Sequence, residues 1–424
     1  MLGAIVRAAL RFRGIVVALA VAGAGYGIYS AINAKYDVFP EFATPQISVQ
    51  TEAPGLSPEQ VEVLVTQPVE NALNGAPGIE SIRSESAQGL SLVVLNFDPK
   101  TDIYRDRQDV AERLGTLAGA LPSGVKLPVM TPLTSSTGDL LTIGLVSDRI
   151  PSMQLRAIAD WLIVPRLLAV PGVAKASVYG GDVRQIQIRI DPRKLIAHEL
   201  TVDDVLSAAQ RATGVRGAGF LDTHNQRLVI RSEGESLTAA DIGTIVVAHQ
   251  AGGNVTLGDV AQVVDAPAPP ISEASVGGHR AVIINIWAQY LANTLEATSG
   301  VEQAMDELAP ALKRQGIAVH PRVFRAANYI ELATHNINVA LILGAILVVV
   351  VLFLFLANLR AAAISCTAIP LSLLAGVVLL QKLGLSLNTM TLGGLAIAIG
   401  EVVDDAVIDV ENIQIGRASC RERV

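Results

Sequence analysis

The sequence predicts a mixed membrane protein: an α-helical transmembrane bundle of four spans carrying a large α+β region outside the bilayer. Three observations predict it. Apolar runs at 14–35, 336–358, 361–381 and 387–412 are each long enough to cross a hydrocarbon core at about 1.5 Å per residue. Residues 36–329, between the first two runs, are polar and alternate strand-like with helix-like patterns. The composition fits neither extreme. A 51% hydrophobic content and a mean hydropathy of +0.45 are too apolar for an ordinary soluble enzyme, yet 17% charged residues are too many for a chain embedded throughout.

Arg7, Arg11 and Arg13 precede the first run and place residues 1–13 in the cytoplasm. A cleaved signal peptide is the alternative, with small residues near Ser30 and Ala31 for a peptidase. The run exceeds a usual signal core and further spans follow, which favours a retained anchor. Gln46 to Thr51 alternates with period two and reads as a strand. Ser57-Pro58-Glu59-Gln60 is a helix start, with Ser as N-cap, Pro in the first turn and Gln placed for a capping box. That helix shows Val61, Leu64, Val65, Val69 and Leu73 on one side and ends near Gly75. A strand at Ser91 to Phe97 and a helix from Asp102 to Leu121 complete a split βαβ pattern.

A second such unit follows a Pro/Ser/Thr-rich link at 128–138. It has a strand at Leu140 to Ser147, a helix at Ser152 to Val170, a Pro171-Gly172 turn and a strand at Val173 to Tyr179. The strand Ile186 to Ile190, the helix Val202 to Ala212 and a Gly-rich arm at Gly214 to Phe220 read as an insertion, closed by a linker at 266–270. The strand Ala281 to Gln289 and the helix Thr294 to Gln315 resume the unit, with Leu295, Val301, Met305 and Leu308 inward. Trp161 and Trp287 are expected to be packing residues.

Charge disappears between Glu331 and Arg360, which marks the second span; the third follows a very short turn and contains Pro370, which a packed membrane helix tolerates. Gln381-Lys382 marks an external turn, so counting crossings places 36–329 outside the cytoplasmic face. The fourth run begins uncharged and then carries Glu401, Asp404, Asp405 and Asp409. Glu401, Asp405 and Asp409 recur at i, i+4 and i+8 and share a helix face, with Asp404 beside them. A carboxylate at the bilayer centre costs roughly 2.5–3.5 kcal/mol on the lenient insertion scale, so these groups face a bundle interior, pair with a cation or are protonated. The alternative is that the helix has left the membrane there. Asp409 and Glu411 fit that alternative; Asp404 and Asp405, followed by apolar residues through Val410, fit a proton relay.

Other chemistries are excluded. The net charge of −7 offers no basic footprint for nucleic acid. The cysteines, Cys366 and Cys420, leave the polar region without disulfides, and the six histidines lack zinc-site spacing. No nucleophile–base pair appears, and Gly214, Gly217 and Gly219 lack phosphate-loop spacing, so neither an enzyme nor a cofactor is indicated.

Several motifs in order carry a resemblance: Glu52-Ala-Pro-Gly-Leu-Ser-Pro-Glu-Gln-Val-Glu62, Pro68-Val-Glu-Asn-Ala-Leu73, Asp102-Ile-Tyr104 with Arg107-Gln108 and Glu112-Arg-Leu114, Ile369-Pro-Leu-Ser372, and Val403-Asp-Asp-Ala-Val-Ile408 with Val410-Glu-Asn412. The chain resembles the N-terminal half of a resistance-nodulation-division (RND) efflux permease. The resemblance implies a proton-driven antiporter of a bacterial inner membrane, a homotrimer docked to a periplasmic adaptor and an outer-membrane channel. It maps a periplasmic porter domain onto 36–133 (first subdomain) and onto 134–180 with 271–330 (second), with a docking subdomain at 181–270. It places relay acids at Asp404 and Asp405 and their cationic partner in the second half of such a permease; Glu401 matches the pattern of neither the heavy-metal nor the multidrug branch and is a third candidate titrating group by its place on the same helix face.

Glu52-Ala-Pro-Gly and Pro68-Val-Glu-Asn-Ala-Leu73 look most like the heavy-metal efflux branch. There an acid is expected at Ala398 and a glycine at Asp405, so the Asp404-Asp405 pair is instead similar to the multidrug branch. No methionine cluster suggests a metal ligand set. Export of organic compounds is therefore the alternative cargo, and a related membrane protein assisting protein export or sensing lipids is the alternative class. Residues 415–424 resemble a translated sequencing-adapter read-through, with a basic cytoplasmic tail as the alternative.

Overall fold

The computed structural model describes residues 7, 9–37, 44–117, 119–213, 220–222, 227–229, 238–250, 253–270, 272–356, 359–395, 397–398, 401 and 408. The first helix, α1 (Arg13–Ile32), is long and apolar enough to cross a membrane. The first α/β unit then runs β1 (Gln46–Glu52), α2 (58–73), β2 (Ile79–Ala87), β3 (Leu90–Phe97), α3 (Ile103–Gly115) and β4 (Val129–Met130). Its antiparallel sheet has the order β2-β3-β1-β4, so β3 lies between β1 and β2, the split βαβ arrangement. Period-two alternation drives Ile47, Val49, Val93, Leu95 and Phe97 to the helix-covered side, against Val69, Leu73, Ile103 and Val110.

The second unit repeats this. It contains β5 (Thr134–Val146), α4 (152–168) and β6 (Val173–Tyr179). An insertion follows: β7 (Arg184–Ile190), α5 (Pro192–Ala197), α6 (Val202–Thr213), β8 (Phe220–Asp222), β9 (Arg227–Val229), α7 (Ala239–Gly243), β10 (Val246–Gln250), β11 (Gly253–Thr256), α8 (Leu257–Val260) and β12 (Ala261–Pro267). The unit resumes, after a short hairpin of β13 (Ser275–Val276) and β14 (His279–Arg280), with β15 (Val282–Gln289), α9 (Thr294–Arg314) and β16 (Ala318–Arg325). The sheet order β16-β5-β15-β6 matches the first unit strand for strand. Paired β7 and β12 form the neck of the insertion, fastened by the Arg184 fork on the Asp265 carboxylate at 2.9 and 2.8 Å. Two further long helices follow, α10 (Ala327–Leu356) and α11 (Leu359–Lys382), on the second and third apolar runs, with Pro370 inside α11.

Both α2 and α4 are broken by a π turn, at Glu62–Thr66 and Ala159–Ile163. The cause is a proline in the following segment, Pro68 and Pro165, which lacks an N–H and crowds the carbonyl four residues back. The helix widens just before it, so Gln67 N–H reaches Glu62 O and Val164 N–H reaches Ala159 O. The residues four before each proline are Leu64 and Trp161. Both face solvent, Trp161 at 82% exposure, which corrects the expectation that Leu64 shares the buried side and that Trp161 packs.

Other expectations also change. The helix expected to reach Leu121 stops at Gly115, where the Thr116 hydroxyl donates to Arg113 O at 2.6 Å. The supposed link at 128–138 carries β4 and the start of β5, and the supposed linker at 266–270 begins inside β12, which pairs through Pro267 with Arg184. Proline is tolerated there because it ends the ladder of a two-stranded pair. The second apolar helix begins at Ala327, well before 336, directly behind β16.

Candidate functional site

The helix expected to carry the relay acids starts from a local cap. Asn388, 1% exposed, accepts the N–H groups of Met390 and Thr391 at 3.0 Å each, while its own N–H donates to the Thr391 hydroxyl at 2.8 Å. Leu-Asn-Thr-Met-Thr thus satisfies the orphan donors of the first turn from within. Of the acids, Glu401 is helical and exposed; Asp404 and Asp405 lie outside the described residues, as does the Gly-rich arm at 214–219.

What the structure adds is how this helix is held. Leu387, just ahead of it, donates its N–H to Lys35 O at 2.8 Å and accepts from Asp37 N–H at 3.1 Å, so the exit of α1 and the entry of the acid-bearing helix are stitched backbone to backbone. Below that stitch, α1 and α11 cross at Gly27, where an added Cβ would lie 2.6 Å from Leu374 Cβ. The Ser30 hydroxyl donates to Gln381 Oε1 one turn higher. Small residues permit this approach in a setting where helix contacts come from packing and interhelical hydrogen bonds. Lys35 ties the same point to the second α/β unit, its Nζ donating to Leu291 O at 2.8 Å. Leu291 holds a left-handed backbone (φ 58°), rare for a β-branch-free but bulky residue, at the turn from β15 into α9.

Two surfaces outside the helices have the character of binding faces. A cleft of about 340 Å³ lies between the units, lined by Tyr104 and Arg107 of α3 and by Ala174, Gln289 and Tyr290 of the second unit. Arg107 donates from Nη1 to Thr131 O at 2.7 Å, and burial lowers the pKa of its guanidinium. On the half-buried side of the second sheet, Trp287 lies under Lys175 Nζ at 5.1 Å from the ring centroid, a cation–π contact. Two residues along β15, the buried Asn285 Oδ1 has no hydrogen-bond partner among the described residues. Among those residues no group of three His, Cys, Asp or Glu is placed to hold a metal ion.

Sequence reasoning missed Lys35, Gly27 and Leu291. The small-residue run Ala-Gly-Ala-Gly-Tyr-Gly in the first span was a signal for close helix approach. The other two had none.

A duplicated split βαβ module, interrupted by an insertion and joined to long apolar helices, is the architecture of this chain. The chain belongs to the AcrB/AcrD/AcrF family, the RND permeases, whose family model matches residues 5–419. It is 33% identical to protein HelA of Legionella pneumophila over 97% of this chain and 39% of that protein. It is 32% identical to the cation efflux system protein CzcA of Alcaligenes sp. (strain CT14), over 93% of this chain and 38% of the relative. Against the cation efflux system protein CusA of Escherichia coli (strain K12) it is 30% identical over 91% and 37%. The crystal structure of a heavy metal efflux pump, crystal form I, superposes with a TM-score of 0.85 at 29% identity, covering 97% of this chain and 41% of that one. The chain thus spans about two fifths of the length of the relatives it matches.

Proposed function

We propose that the chain is the N-terminal part of a proton-coupled RND efflux permease that exports heavy-metal cations. The observation that carries this reading is the similarity, over more than nine tenths of the chain, to relatives whose names specify cation efflux and to a heavy metal efflux pump. In this reading 36–133 and 134–180 with 271–330 are porter subdomains and 181–270 docks to other components. Spans at 14–35, 336–358, 361–381 and 387–412 hold the protein in a bacterial inner membrane. It works as a homotrimer with a periplasmic adaptor and an outer-membrane channel, and the complete protein is a secondary transporter with no catalytic step.

Coupling begins at Asp404 and Asp405, with Glu401 one turn before. Adjacent acids in a low-dielectric bundle titrate in coupled steps and one pKa rises. Protonation removes their attraction to a neighbouring cation, the acid-bearing helix shifts, and the stitch at Leu387 passes that shift to the exit of α1. In the complete protein, Asp404→Asn or Asp405→Asn is expected to abolish export without loss of expression; full resistance in either variant removes that residue from the relay. A susceptibility panel of metals and drugs on cells expressing the complete gene tests the cargo. A second reading, export of organic compounds, is favoured by the Asp404-Asp405 pair and by the half-buried Trp287, which offers an aromatic plane in place of soft metal ligands. Protection against drugs but not metals selects it.

A further inference from the structure

The Arg325 side chain is one of the most enclosed charges among the described residues outside the apolar helices, at 12% exposure. It sits at an abrupt junction. β16 ends at Arg325 and α10 begins at Ala327, so a single residue joins the second sheet to a 30-residue helix. That residue, Ala326, donates its N–H to Leu140 O of β5 at 3.0 Å, and the next turn is seated by Ala327 and Ile330, both buried. From the end of β16 the Arg325 fork reaches two helices at once. Nε donates to Glu302 Oε1 of α9 at 3.0 Å, and Nη1 donates to Asn328 Oδ1 at 2.8 Å and Glu331 Oε1 at 2.9 Å, both on α10. Arg322 Nε donates to the same Glu302 oxygen at 2.7 Å, while Arg325 Nη2 reaches Glu302 Oε2 at 3.4 Å. A planar guanidinium engaged along two edges fixes an angle as well as a distance, which a lone ammonium does not. The exit of α1, in contrast, is separated from β1 by residues 33–45.

We propose that Arg325 is a positioning residue that makes α10 and the second α/β unit one rigid arm, so that a tilt of α10 is delivered whole to the second sheet. The use of that tilt for export rests on the transport reading; the rigidity of the arm does not. The Lys35 bond to Leu291 O brings α1 to the same unit and adds a second point of attachment for the helices.

The test uses the complete protein in lipid nanodiscs, with its own cysteines, Cys366 among them, replaced by serine. Spin labels at the exposed positions Gln303 of α9 and Asn336 of α10, introduced as Gln303→Cys and Asn336→Cys, report the distance between the elements by pulsed electron resonance. The parent is expected to show one narrow distance. Arg325→Gln widens it by about twofold or more, as a clamped joint becomes a locally open one, and Arg325→Lys falls between. If Arg325→Gln does not insert, Asn328→Ala combined with Glu331→Ala removes both α10 acceptors of the clamp and is expected to widen the distance too. An unchanged width in the glutamine variant that inserts overturns the proposal, whatever happens to export. With the width increased, maximal export falls by about tenfold while half-saturation by cargo holds, the pattern of an interaction used in turnover and not in binding. A parent protein that shows the narrow distance but exports nothing sinks the transport reading and leaves the clamp standing.

Discussion

Replacing Gly27 by alanine tests whether α1 and α11 meet as closely as the structure has them. The added methyl carbon would lie 2.6 Å from Leu374 Cβ, 3.3 Å from its Cγ and 3.4 Å from its Cα, so the obstruction is the root of the side chain and cannot rotate away. Carbon atoms rest about 3.5–4.0 Å apart, which requires the helices to separate by about 1 Å at the crossing. Overpacking of that kind costs about 1–3 kcal/mol. Alanine recovers up to about 1 kcal/mol of helix propensity relative to glycine, so the net effect of Gly27→Ala ranges from near zero to a loss of about 2 kcal/mol. An internal control lies half a turn away. Nothing stands within 4 Å of a Cβ at Gly25, so Gly25→Ala keeps the propensity gain without the clash. Thermal unfolding midpoints of the complete protein in detergent should rank Gly25→Ala above the parent and Gly27→Ala below Gly25→Ala, by the equivalent of about 1–3 kcal/mol. The separation also strains the Ser30–Gln381 hydrogen bond and the backbone stitch at Leu387. Equal midpoints for the two alanine variants would refute the crossing.

Two further outcomes follow from single groups. Asn285→Leu removes a buried oxygen that has no hydrogen-bond partner among the described residues, a situation that costs about 1–3 kcal/mol, so the variant should unfold at higher temperature; a variant no more stable than the parent shows the oxygen to be satisfied. Burial pushes the Glu302 carboxyl up, but hydrogen bonds from Arg325 and Arg322 outweigh it and hold the group below its ordinary range. Its contribution to stability is then complete above the unfolded value of about 4.3 and is lost as pH falls through the lower folded value. The stability gap between parent and Glu302→Gln, followed by thermal unfolding from about pH 6 to pH 3, should close on acidification; a gap independent of pH would refute the assignment.

The repeated split βαβ unit was legible because each of its elements announces itself locally. Ser57 to Gln60 forms the expected capping box, β1 and β3 alternate buried with open residues, and Asn293 caps α9 ahead of Thr294. Local pattern reasoning failed where a local rule was broken for a local cause: periodicity put Leu64 inside, and the π turn that Pro68 imposes turned it out. The acids of the fourth run were legible as residues at helical spacing, and Asn388 capping Met390 and Thr391 shows the helix beginning where the pattern changes.

By itself, then, the amino-acid sequence determined which segments are apolar, which are strands and helices, where most begin, and that the α/β unit occurs twice. These depend on side-chain periodicity and on caps that act within a few residues. Only the tertiary structure decided the partners: Gly27 under Leu374, Leu387 stitched to Lys35 and Asp37, Lys35 reaching Leu291, and Arg325 spanning α9 and α10. Such pairings join residues far apart in the chain, so they are selected by packing and by the need of each buried polar group for a partner, neither of which leaves a periodic mark on the sequence.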